Sequence, residues 1–178
     1  EKKKEGLNIT CGIAAHQLSF TDHDLEGFDT RLKVLPPFRT DKDRKALMKG
    51  IEDGTIDTIC SDHSPEDTEN KKLEFDLAAF GISSLETAFA SILTSTKGKM
   101  ELDTLIERMT VGPRQVLGMD DRKIAEGQPA NLTIFNPDDS ANFDAKKMAS
   151  KSDNTPFKNI ELTGKVIGTV RGDHSSWN

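Results

Sequence analysis

The stretch Ile56-Asp57-Thr58-Ile59-Cys60-Ser61-Asp62-His63-Ser64-Pro65 decides how the rest of the chain is read. Its first half is short, largely apolar and β-branched, the composition of a buried strand. Its second half breaks into turn chemistry at Asp62-His63-Ser64-Pro65. In parallel α/β barrels the catalytic groups stand at this place, the C-terminal mouth of a strand. A carboxylate at Asp62 can ligate a divalent metal and accept a proton from activated water. It can equally cap the turn that follows, and composition alone leaves both readings open. His63 comes next, and adjacent side chains on a strand point opposite ways, so it is not expected to face the same metal.

Working back from this strand, Thr40 with Asp43 three residues on is close to a capping box. Ala46, Leu47, Met48 and Ile51 line one face of the helix that follows, and Gly54 ends it. Before the helix, Pro36-Pro37 stops a short extended piece at Arg31–Leu35, because two absent amide donors rule out a central strand. Residues 14–30 read as a long irregular loop, and Leu7–Ile13 as a first strand. Strand, loop, helix and strand make the crossover unit of a parallel sheet. Glu1–Glu5 reads as the last turn of a helix, with Gly6 just past its end. The expectation is a fragment whose preceding part lies upstream.

Working forward, a polar stretch runs to Leu73. A helix is expected from Ser84, carrying Leu85, Ala88, Phe89, Ile92 and Leu93, then shorter helices at 101–109 and 113–117. The pattern then changes to strands at Ala130–Phe135 and Thr163–Val170. The expected organisation is an α/β portion over 1–120 and a small β portion over 121–178, with no internal repeat.

Composition narrows the function classes. The 178 residues are 34% hydrophobic and 30% charged, with a mean hydropathy of -0.56, as expected of a soluble, cytoplasmic protein. No apolar run approaches the roughly 18 residues of a membrane span, and the charged start is no signal peptide. A net charge of -6 with scattered basic residues argues against nucleic acid as a partner. Cys11 and Cys60, both in strand-like runs, read as reduced core thiols. His16 lies just past the first strand, at the same mouth as Asp62 if the strands are parallel. No His-x-His, Cys-x-x-Cys or Gly-rich phosphate loop appears. One carboxylate and one or two histidines fall short of the three protein ligands usual for a catalytic metal.

Several motifs occur together in one order: Thr10-Cys11-Gly12-Ile13-Ala14-Ala15-His16, Lys33-Val34-Leu35-Pro36-Pro37-Phe38-Arg39, Ser61-Asp62-His63-Ser64-Pro65, Ala79-Phe80-Gly81-Ile82, Gly112-Pro113-Arg114, and Ala130-Asn131-Leu132. The series resembles the C-terminal part of the dihydroorotases of the amidohydrolase superfamily. That resemblance implies a metal-dependent (β/α)8 barrel with a small β-sandwich domain. This chain would supply the last two barrel strands and the C-terminal strands of the β domain. It implies zinc-dependent, reversible hydrolysis of dihydroorotate to carbamoyl aspartate in pyrimidine biosynthesis, with Asp62 both metal ligand and proton acceptor. It further implies one or two zinc ions with their histidine ligands upstream, a homodimer completed by the N-terminal half, and in some relatives association with aspartate transcarbamoylase. Phe80 and Gly81 fall in the substrate-binding loop, while His16 and His63 stand at the mouth without being counted as metal ligands. Two positions depart from the family pattern. Leu35 replaces the Asn that holds substrate, and Glu66 replaces a His that helps bind its carboxylate. Both changes disfavour an anionic substrate, which keeps a dihydropyrimidinase-like cyclic amidase and a non-catalytic structural partner as alternatives.

Overall fold

A computed structural model describes residues 1–120 and 123–178. Asp121 and Arg122, at the expected boundary between the two portions, lie outside the described residues.

The first portion is organised by a parallel pair of strands, β1 (Gly12–Ala14) and β2 (Thr58–Cys60). They are in register at Gly12↔Thr58, Ile13↔Ile59 and Ala14↔Cys60. Both are shorter than the sequence pattern suggests. Leu7 and Ile9 are exposed, and the ladder extends back only through the Asp57 amide bonding the Cys11 carbonyl. The crossover between the strands carries α1 (Asp41–Glu52). Its Thr40 capping box forms as expected, with Thr40 Oγ1 and the Asp43 carboxylate bonding each other's backbone amides. Leu47, Met48 and Ile51 face the core, but Ala46 falls off this stripe and is exposed. Arg31–Leu35 is not extended throughout: Thr30–Leu32 is a 3-10 turn closed by the Asp29 side chain, and further 3-10 turns at Ala15–Leu18 and Asp22–Leu25 order the expected loop. Residues 2–6 form a turn and not a helical segment, with hydrogen bonds of the kind that close a helix. Gly6 has φ +83, and the Leu7 and Gly6 amides bond the carbonyls of Lys2 and Lys3.

Beyond β2, α2 (Thr68–Lys71) is a single turn inside the polar stretch. α3 (Ala88–Thr96) starts four residues later than Ser84, and the amides of Ser84 and Leu85 bond His63 Nδ1. α4 (Leu102–Met109) and α5 (Val111–Val116) follow. One core joins Ala15, Leu18, Ile51, Ile56, Ile59, Ile92 and Leu105, so α1, α3 and α4 pack on the same side of β1 and β2.

This sidedness explains a correction. Cys11 and Cys60 are exposed, not core thiols. Side chains alternate along a strand. With Ile59 turned to the helical core, its neighbour Cys60 faces the opposite side and is exposed.

The second portion is an antiparallel sheet in the order β3 (Asn131–Asn142), β4 (Glu161–Arg171) and β5 (His174–Trp177). β3 runs past Pro137 because a register shift between Asn136 and Ser140 puts the residue without a donor in a bulge. The sheet docks on α3. The Thr163 amide bonds Thr94 Oγ1 at 2.8 Å, and Phe135 meets Phe89 edge-on at 4.7 Å. No helix among the described residues is long and apolar enough to cross a membrane.

Candidate active site

Parallel pairing brings the C-terminal ends of β1 and β2 together, and the residues just past them define the site. Asp62 has φ +50, a left-handed conformation uncommon for a residue with a side chain. Its carboxylate is 48% exposed, so it is open to a ligand. His16, in the 3-10 turn after β1, points its Nε2 at Asp62 Oδ2 from 3.8 Å. It is 1% exposed and sits edge-on to Phe38.

Burial lowers the His16 pKa from 6.5 to about 4, although the Asp62 carboxylate pulls it up. At neutral pH the imidazole is therefore uncharged, and the pair is a lone-pair donor beside a carboxylate rather than a salt bridge. The open Asp62 carboxylate suits a divalent ion, which oxygen ligands approach to about 2.0–2.2 Å. The buried His16 Nδ1 has no protein partner among the described residues. Within them, no group of three or more His, Cys, Asp or Glu converges as a metal site. The chain thus offers a partial donor set, which further ligands would have to complete.

His63 turns away from Asp62, as strand alternation suggests. Its Nδ1 accepts from the Ser84 and Leu85 amides at 3.1 and 3.2 Å, joining the β2 loop to the turn before α3. Glu66, on the same loop, accepts from Asn70 Nδ2 through its carboxylate and from Ser152 through its carbonyl. Leu35 is 68% exposed. Among the described residues, no hydrogen bond or ion pair joins Glu66 to Asp62.

The loop 79–82 lies directly against the Asp62 loop. The Ser64 amide bonds the Ile82 carbonyl, and Gly81, with φ +124, leaves no room for a Cβ, which would sit 2.6 Å from the Ser64 carbonyl oxygen. Three residues that sequence reading passed over support this loop. Lys71 Nζ donates to the carbonyls of Ala79 and Gly81 at 2.8 and 3.0 Å. Asn154 Nδ2 also donates to Gly81 at 3.0 Å. Lys33 Nζ stands 4.7 Å over the Phe80 ring and donates to the Asp76 carbonyl. Burial lowers the Lys71 pKa, against the opposing pull of Glu66. A lysine buried this way carries no signature in a linear pattern, since lysines ordinarily lie at the surface. Separately, a groove of about 410 Å³ opens between α3 and the β3–β4 sheet, and none of Asp62, His16, His63 or Phe80 lines it.

Comparison with known proteins agrees with this geometry. A model of the amidohydrolase family matches residues 3–174. The chain belongs to the amidohydrolase family. Among curated relatives, this amidohydrolase is 41% identical over 169 residues to the dihydroorotase of Desulforapulum autotrophicum, covering 94% of the chain and 39% of the relative. It is 39% identical over 172 residues to the dihydroorotase of Bacillus subtilis, covering 96% of the chain and 40% of the relative. The chain therefore spans about two-fifths of the length of these relatives. Among solved structures, L-hydantoinase (dihydropyrimidinase) from Arthrobacter aurescens superposes with a TM-score of 0.90 at 29% identity, over 97% of this chain and 40% of that one. An inactive dihydroorotase-like domain of a Chaetomium thermophilum CAD-like multifunctional protein shares the fold, with a TM-score of 0.70 at 19% identity. The amidohydrolase fold makes β1 and β2 strands of a (β/α)8 barrel. Proteins of this family generally use a metal.

Proposed function

We propose that the amidohydrolase to which this chain belongs is a dihydroorotase, opening and closing the cyclic amide of dihydroorotate to and from carbamoyl aspartate with zinc as its metal. The observation that carries the reading is identity of 39–41% to curated dihydroorotases along nearly the whole chain. A zinc ion held by Asp62, together with donors from elsewhere in the protein, would supply Lewis-acid polarisation of the ring amide and acidified water. The remaining work falls to residues described above. Asp62, open at the mouth, accepts the proton released as water adds to the amide carbon and returns it to the leaving nitrogen. Neutral His16 keeps a lone pair available without placing a positive charge against that carboxylate. The loop 79–82, through Phe80 and Gly81, contacts the ring. In this reading residues 1–120 close the barrel and 121–178 belong to the small β domain. With it go a cytoplasmic location and a homodimer.

A second reading draws on Leu35 and Glu66. An exposed apolar side chain and an anion, in place of an amide and an imidazole, favour a neutral cyclic amide over a carboxylated one. The fit to L-hydantoinase points the same way. The full-length protein loaded with zinc separates the readings. A dihydroorotase forms carbamoyl aspartate from dihydroorotate, and Asp62→Ala lowers that rate by about 10²–10⁴. An undiminished rate in the variant would remove Asp62 from the mechanism. Turnover of dihydrouracil but not dihydroorotate establishes the second reading. Turnover of neither leaves the structural role beside aspartate transcarbamoylase, which co-purification of the two proteins checks.

A further inference from the structure

Loop 79–82 hangs on buried polar groups. Lys71 is 6% exposed, yet its ammonium donates to two backbone carbonyls of this loop, Ala79 and Gly81. Removing an ammonium group from water is costly, and an apolar side chain would fill the same space without that cost. What the ammonium does, and an apolar group cannot, is fix the direction of two carbonyls. Asn154 adds a second donor to the Gly81 carbonyl, and the Ser83 amide bonds the Asn154 carbonyl in return.

Direction matters because a trans peptide turns its N–H opposite to its C=O. With the Ala79 carbonyl drawn inward to Lys71, the amide of Phe80 is turned outward. The Gly81 amide is committed to the Lys33 carbonyl, whereas the Phe80 amide has no acceptor among the described residues. Phe80 itself is half exposed beside the Asp62 loop, with its ring held from behind by Lys33. One backbone donor of this loop is thus left without an acceptor among the described residues.

We propose that Lys71 is a positioning residue, which by holding the Ala79 and Gly81 carbonyls aims the Phe80 amide at an oxygen acceptor of the substrate. The inference rests on reading loop 79–82 as the substrate-facing loop, and it assigns Lys71 to substrate binding rather than to bond breaking. The Asn154 side chain supports the same carbonyl from the other side.

The test uses the full-length zinc protein and Lys71→Met, which keeps the length and apolar stem and removes the donors. Steady-state kinetics with dihydroorotate should show KM raised at least about tenfold, equivalent to 1.4 kcal/mol, with kcat within about threefold. Residue-resolved hydrogen exchange should show the amides of residues 81 and 83 exchanging faster, with the β1–β2 amides unchanged. Saturating dihydroorotate should protect the Phe80 amide in the wild type. An unchanged KM with unchanged exchange in the loop overturns the proposal. So does an unprotected Phe80 amide. If Lys71→Met fails to fold, Lys71→Gln, which retains a donor for one carbonyl, takes its place: a raised KM with faster loop exchange supports the role, and neither change overturns it. If the wild type turns over neither dihydroorotate nor dihydrouracil, the proposed function falls. Exchange in the 79–83 loop then judges Lys71 by itself: unaltered rates in the variant overturn the role.

Discussion

At the scale of single residues, two readings of Asp62 divide cleanly, because its backbone and its carboxylate can be tested apart. The φ of +50 is a conformation that Asn tolerates about as well as Asp. Asp62→Asn should therefore hold stability within about 0.5 kcal/mol. The same change should lower turnover of the full-length protein by about 10²–10⁴, because the amide accepts no proton. A turn cap alone would give the reverse: normal turnover, and any loss in the melting temperature. His16 offers a prediction in pH. Burial holds its pKa near 4 against 6.5, so as pH falls the unfolded chain takes up a proton before the native one does. The stabilisation is complete above about pH 6.5 and drains away down to about pH 4, reaching about 3 kcal/mol at 1.36 kcal/mol per pH unit. Urea titrations of zinc-stripped protein at pH 7 and 4.5 should show a smaller difference for His16→Gln than for wild type, and equal differences would deny His16 this part. The position of Asp62 could be read directly, since strand composition and turn chemistry are both local. The burial of His16, Lys33 and Lys71 could not, because it is conferred by residues outside their local pattern, Phe38 against His16, Asp76 and Phe80 against Lys33, and Ala79 and Gly81 against Lys71.

At the scale of elements, local codes were readable and lengths were not. The Thr40–Asp43 capping box is a four-residue signal and forms where the sequence puts it. Strand β1 came out shorter than the alternation of Leu7–Ile13 implies, because a strand extends only as far as its partner, and β2 offers three residues. Strand β5 carried a signal that went unread. Gly172-Asp173 is a two-residue hairpin turn, with Gly172 at φ +57 and Arg171 paired to His174. Packing between elements yields a further prediction. Gly112 in α5 lies so close to the Asp57 carbonyl, at the start of β2, that a Cβ there would overlap it. Backbone cannot yield as a flexible side chain does, so Gly112→Ala should destabilise by about 1–3 kcal/mol. Thermal melts would show this as a fall of several degrees. A melt identical to wild type would mean that α5 shifts freely over β2.

At the scale of the whole molecule, the partial donor set and the open sheet have one origin. Strands β1 and β2 pair only with each other among the described residues, so each has an outer edge without a partner. A barrel of this type closes with eight strands, and the chain spans 39–40% of the length of its curated relatives. Exposed edges and apolar groups such as Leu7, Ile9 and Leu35 invite association. The 178-residue chain prepared alone should therefore self-associate at micromolar concentration in sedimentation velocity. It should retain no stoichiometric zinc after gel filtration, since Asp62 stands without the three protein donors that a catalytic site usually takes, and no such group converges among the described residues. It should also leave dihydroorotate and dihydrouracil unchanged. Supplying the rest of the polypeptide as a second chain covers the edges and brings the remaining ligands, so zinc retention and turnover should return together. A monomeric 178-residue chain that holds one zinc and turns over either substrate would show that Asp62 needs no ligands from outside it.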